Sequence, residues 1–144
     1  MSDRPRIVVD TNALISRLLL PASVAGRAVR RAIEEGQLLV SEAGMLELAE
    51  VLSRAKFKTK ISGLGFSPGQ FFDSYAKRAE VVQAMSVPRL APDPGDDAVI
   101  GTALAAKADL VVTGDRTLLS VAEYEGVRIV SVGEAMKAVA RQSV

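Results

Sequence analysis

Apolar residues along this chain fall into short runs, several of which stop on an acid or a hydroxyl, and these alternate with longer stretches where apolar positions recur at the helical period. Arg6 to Asp10, Gln37 to Ser41, Leu110 to Thr113 and Val127 to Val132 have the length and branched content of buried strands. Between them the periodicity predicts helices over Ala13 to Leu20 and Ser23 to Glu35, divided by Pro21 and ended by Gly36, and over Gly44 to Arg54. Ser67 as N-cap and Pro68 at the first helical position open a longer helix carried to about Gln83. Helices over Asp96 to Lys107, Arg116 to Glu123 and Gly133 to Arg141 complete the set. Phe57 to Phe66, broken by Gly63 and Gly65, reads as irregular, and Met85 to Leu90 as a short strand that Pro88 confines to a sheet edge. Alternation of this kind predicts an α/β fold: one domain over residues 1–144, a mostly parallel sheet with helices on both faces in a Rossmann-like three-layer arrangement.

Composition then limits the chemistry. The 144 residues are 49% hydrophobic, enough for one ordinary core, and include no Cys, Trp or His. A disulfide framework and a thiolate zinc site are excluded, as are imidazole bases, Ser-His triads and His-rich metal sites. Carboxylates, Lys, Tyr and backbone groups remain, and any bound metal is a hard one held by oxygen. The N-terminus lacks a basic segment followed by an apolar one, and no apolar run approaches the roughly 20 residues of a membrane span, so a soluble cytoplasmic protein is expected. The net charge of +1 is uninformative, but Arg54, Lys56, Lys58 and Lys60 alternate around Phe57. Such a stretch suits a phosphate backbone and a stacked base, or equally a solvated loop.

The acids carry the rest. Asp10 ends an apolar strand and precedes a helix, so it is either a functional acid at a sheet rim or a helix cap, a duty open also to Thr11 and Asn12. Turning Gly44 to Arg54 as a helix gathers Met45, Leu48, Ala49, Val51 and Leu52 on one face, with Glu47 at its edge and Glu50 mid-way round the polar side. Asp96 and Asp97 begin a helix whose apolar face is Val99, Ile100, Ala103 and Leu104, where capping and the helix dipole are alternatives to ligation. Asp115 follows Thr113-Gly114 at a strand end and again precedes a helix. Acids at several strand ends, brought close, repel one another until a divalent ion removes the conflict.

With Ile7-Val8-Val9-Asp10-Thr11-Asn12, Ser41, Met45-Leu46-Glu47-Leu48, Asp93-Pro94-Gly95-Asp96-Asp97 and Thr113-Gly114-Asp115 in order, the chain resembles the PIN domain family, most often met as the VapC-type toxin ribonucleases of prokaryotic toxin-antitoxin pairs. The resemblance implies metal-binding acids at Asp10, Glu47, Asp97 and Asp115, with Asn12 and Thr113 in support. Asp96 stands as neighbour or substitute to Asp97, because a related branch carries its acid one position earlier. It further implies Mg²⁺ or Mn²⁺ as cofactor, cleavage of RNA by metal-activated water, a homodimer, and a cognate antitoxin as partner. Arg17, Lys56 and Lys58 are candidates for contact with the RNA backbone.

Two other classes place an acid after a first strand. A phosphoaspartyl phosphatase needs a second Asp two residues on, where Asn12 stands, and a receiver domain expects an acidic pair after that strand. A PIN scaffold that binds without turnover is the third reading. The apolar residues Ala13, Leu14, Ile15, Leu18, Leu19 and Leu20, with Phe66, Phe71 and Phe72, suit either a core or an interface.

Overall fold

Among the described residues, strand β1 (Arg6–Val9) lies inside a six-stranded sheet with β2 (Gln37–Ser41) on one side and β4 (Leu110–Val112) on the other. A computed structural model describes residues 4–19, 27, 30–31, 34–63, 67–88 and 94–135. Beyond β2 lies β3 (Ala79–Val82), and beyond β4 come β6 (Val127–Val130) and β5 (Glu123–Tyr124), giving the order β3-β2-β1-β4-β6-β5. Every pairing is parallel except β5 with β6, a hairpin turned through Glu125 and Gly126 at φ 46° and 88°. Two left-handed residues in a two-residue loop match the strand twist.

Strands buried on both faces need apolar side chains on both. Ile7, Val9, Leu38, Val40, Leu110 and Val112 point into one core with Leu14, Leu48, Leu52, Ile61 and Tyr75. Val8, Leu39, Val111 and Ile129 point into another with Ile100, Ala103 and Leu118. Helices α1 (Thr11–Leu19), α2 (Glu42–Ser53), α3 (Ala55–Ser62) and α4 (Pro68–Arg78) thus cover the first face, and α5 (Pro94–Ala105) and α6 (Arg116–Val121) the second. This is the expected three-layer α/β domain. Among the described residues no helix is long and apolar enough to cross a membrane.

The structure differs from the sequence reading in five places. Ala55–Ser62 is helical rather than irregular, because Phe57 and Ile61, one turn apart, reach the core, with Ile61 fully buried; 64–66 lie outside the described residues. The Ser67-capped helix stops at Arg78 instead of near Gln83, and Ala79–Val82 pairs with β2 as the edge strand. Met85 to Leu90 is not that strand: 83–88 carries no regular structure, and 89–90 lie outside the described residues. The helix from Arg116 ends at Val121, where Ala122 turns left-handed (φ 65°) and the chain enters β5. Ala49, assigned to the apolar face of α2, is exposed, while Leu48, Val51 and Leu52 are buried. The expected final helix begins within 132–135, with Ser131 Oγ accepting from the Glu134 N–H at 3.2 Å; its remainder, from 136 on, lies outside the described residues, as do Leu20, Phe66 and most of Ser23 to Glu35.

Candidate active site

From β1 the chain passes to β2 on one side, whereas β4 flanks β1 on the other, so the sheet order reverses between β1 and β4. The crevice beyond the carboxyl ends of two such strands is where an open parallel sheet has room for a ligand. Asp10 stands at that point. Its N–H still belongs to the sheet, donating to the Val112 carbonyl at 2.9 Å, while its carbonyl accepts from Ala13 at 2.9 Å and Leu14 at 3.1 Å to start α1.

The Asp10 carboxylate turns toward the end of β4, where Oδ2 accepts from the Thr113 hydroxyl at 2.9 Å. Thr113 is fully buried, and the same hydroxyl oxygen accepts from the Asp115 N–H at 3.0 Å. One side chain thereby ties the Asp10 carboxylate to the backbone of Asp115. Asp115 is also the N-cap of α6: its Oδ1 accepts from Thr117 N–H at 2.7 Å and from Leu118 N–H at 3.4 Å. The capping role foreseen for it is real and engages one carboxylate oxygen.

Burial pushes the Asp10 carboxyl above its ordinary value of 3.8; hydrogen bonds from Thr113 and the Thr11 backbone act against this, and the Asp115 charge adds to it. A carboxylate held out of water beside a second negative charge is a group that gains from a cation.

Asp10 and Glu47 line the same cleft, of about 130 Å³, together with Thr11, Ser41, Thr102 and Tyr75. Glu47 lies in α2, whose start is fixed by Ser41, the Oγ of which accepts from Gly44 N–H at 2.9 Å. Ala98, Val99 and Thr102 of α5 form part of the opposite wall. Asp97, immediately before Ala98, is buried at 9% exposure, and Asp96 is half-buried; both sit in the first turn of α5, where the helix dipole favours them. Asn12 is exposed in the first turn of α1.

The expected acids are therefore gathered unequally. Asp10 and Asp115 are joined through Thr113, Glu47 shares the cleft with Asp10, and Asp97 stands beside its wall. Among the described residues no group of three or more acidic side chains is placed to hold a metal ion by itself. Mg²⁺ seldom requires such a cage: one or two carboxylates, retained waters and substrate phosphates suffice. The all-oxygen donor set and the desolvated Asp10 fit an ion of that kind.

Lys56 and Lys58 are exposed on α3 and do not line the cleft, and the side chain of Arg17 lies outside the described residues. Helix formation also spoils the alternation read from the sequence, since Lys56 and Lys60 share one side while Lys58 points about 200° away. Lys56 Nζ sits 5.4 Å from the Phe57 ring centroid. Thr102 and Tyr75 were not singled out from the sequence, because each occupies a buried, core-like position in its helix.

A family model described as PIN domain matches residues 6–117. Against curated proteins the sequence has no match. Among solved structures, VapBC2 from Rickettsia felis bound to a DNA fragment from their promoter contains a chain with a similar fold. That similarity has a TM-score of 0.57 at 13% identity and covers 88% of this chain and 98% of the other.

Proposed function

This chain belongs to the PIN domain family, and from that premise we propose that it is a Mg²⁺- or Mn²⁺-dependent endoribonuclease, the toxin of a toxin-antitoxin pair. The observation that carries the reading is the Asp10–Thr113–Asp115 unit at the sheet's switch point, with Glu47 on the same cleft. In this reading Asp10 and Asp97 hold the metal, and Glu47 and Asp115 hold or orient its waters. Thr113 fixes the Asp10 carboxylate by donating to it, and Asn12 helps to orient the substrate. A divalent ion held there would supply Lewis acidity, lowering the pKa of a bound water and offsetting negative charge on the substrate phosphate. The protein then needs no nucleophile of its own, in keeping with a chain that has neither Cys nor His.

Partners follow the same reading. An antitoxin that covers the cleft, a homodimer and a cytoplasmic setting are proposed for this chain. Ala13, Leu14 and Ile15 are buried in the core, and Phe71 and Phe72 are half-buried against it, so little of their surface serves an interface.

The test is cleavage of an end-labelled single-stranded RNA. With Mn²⁺ the wild-type protein is expected to yield fragments bearing 5′-phosphate and 3′-hydroxyl ends, and EDTA to stop it. Asp10→Asn should lower the rate by about 100-fold or more with an unchanged circular dichroism spectrum. Cleavage that persists in EDTA, or an Asp10→Asn protein as active as wild type, would contradict the proposal.

A further inference from the structure

The basic stretch from Arg54 to Lys60 has no part in the cleft, and folding gives it a definite shape. As helix α3 it turns Phe57 and Ile61 to the core and leaves Lys56, Lys58 and Lys60 exposed. At about 100° per residue, Lys56 and Lys60 stand on one flank of the outer face and Lys58 on the other, with exposed Ala55 and Thr59 between them. The Thr59 hydroxyl donates back to the Ala55 carbonyl at 3.1 Å, so the strip between the lysines is low. From Ala55 to Gly63 the chain holds no acid, while Arg54 is engaged by Glu50 at 3.1 Å.

An RNA substrate needs a surface of this sign. Among the described residues, those lining the cleft beside Asp10 include Asp10 and Glu47 and neither Lys nor Arg. Apart from a bound ion, that cleft repels a phosphate chain, so cations for the rest of the strand must lie outside it. Helix α3 packs against α1 and α2, both of which begin at the cleft, at Thr11 and next to Ser41. The 12 residues of α2 carry the chain about 18 Å from the cleft before α3 starts. That span equals about five nucleotides at roughly 3.4 Å each along a stacked strand.

We propose that α3 is a docking surface for the RNA backbone, separate from the cleaved bond. The strand crosses the strip of Ala55 and Thr59, and its phosphates pair with Lys56 and Lys60 on one side and Lys58 on the other. This rests on the RNA-cleaving reading above. It makes α3 a source of affinity and leaves bond breaking to the acids. Lysine suits the task, because a compact charge on a flexible stem meets phosphate without reading sequence.

The variant Lys56→Gln/Lys58→Gln/Lys60→Gln tests it, since glutamine keeps the helix propensity and removes three charges; circular dichroism checks the fold. Lys107→Gln, at an exposed position beyond the far end of α5, is the control. Binding of a fluorescein-labelled RNA of about a dozen nucleotides is followed by anisotropy in EDTA, where nothing is cleaved. The slope of log affinity against log salt should fall in magnitude by about 2 in the triple variant, from three contacts at about 0.7 each. Affinity at about 50 mM salt should fall roughly tenfold or more. Lys56→Gln and Lys58→Gln singly should each take about a third of the change in slope, and Lys107→Gln should match wild type. In Mn²⁺, KM for the same RNA should rise in the triple variant with kcat unchanged. A dinucleotide, too short to reach α3, should be cut alike by variant, control and wild type.

The outcomes separate the two readings. RNA cleaved by a triple variant with the wild-type salt slope and KM overturns the docking surface and spares the nuclease. A reduced slope in a protein that cuts no RNA with any divalent ion overturns the nuclease and supports α3 as an RNA surface. Polyglutamate of equal charge that binds as tightly as the RNA overturns the proposal in favour of an acidic protein partner.

Discussion

Asp10 shows how a residue legible in the sequence acquires its meaning only from the fold. That an acid would end the first strand was readable, because an apolar run stopping on Asp marks a sheet rim. That its carboxylate would be held by a threonine 103 positions further along was not, since such a contact exists only once β1 and β4 are neighbours. Burial raises the Asp10 carboxyl, and the sign of the consequence can be worked out. A folded-state value above the unfolded one contributes stability that is fully present below 3.8 and is lost as pH rises through the folded value. In EDTA, the unfolding free energy of Asp10→Asn relative to wild type should therefore grow as pH rises from about 3.8 toward neutrality and then level off. Urea melts across that range measure it, and a difference that is flat or falls with pH would contradict the burial account.

Elements were legible where one periodicity dominated and hidden where two competed. Leu110–Val112 and Gln37–Ser41 are wholly or mainly apolar and short, so strand was the only sensible reading. Ala79–Val82 continues an amphipathic helix by pattern, yet four paired residues on β2 decide for strand. In Ala55–Ser62 the alternating lysines concealed the spacing of Phe57 and Ile61. Gly101 marks a further constraint invisible to periodicity: inside α5 it looks like a defect, but a Cβ there would lie 2.0 Å from the Met85 carbonyl oxygen. The Met85 N–H donates to the Gly101 carbonyl at 3.0 Å, docking 83–88 directly on the helix backbone. Gly101→Ala should therefore destabilise by about 1–3 kcal/mol despite alanine's better helix propensity. Gly133→Ala is the control: among the described residues its Cβ would meet nothing nearer than Ser131 Oγ at 4.0 Å, so stability should hold or rise slightly. Urea denaturation of both variants decides, and a Gly101→Ala protein as stable as wild type would show that the strap yields.

At the scale of the molecule, sequence order and spatial order diverge at one place, and the candidate site lies there. The class of fold could be read from alternating elements, whereas the strand order that sets β1 beside β4 could not. That order brings Asp10, Thr113 and Asp115 together from opposite ends of the chain and opens the cleft shared with Glu47. Asp97 is buried and Asp96 half-buried in the first turn of the helix that walls the cleft, a difference that the sequence pattern of two adjacent acids does not reveal. On the proposed function these carboxylates serve a divalent ion. Anomalous diffraction from crystals grown with Mn²⁺ tests it most directly: the predicted result is an ion at about 2.1 Å from an Asp10 carboxylate oxygen, inside the cleft and within water-bridging reach of Glu47. Full-occupancy Mn²⁺ elsewhere on the protein, with Asp10 touching only Thr113 and solvent, would contradict it.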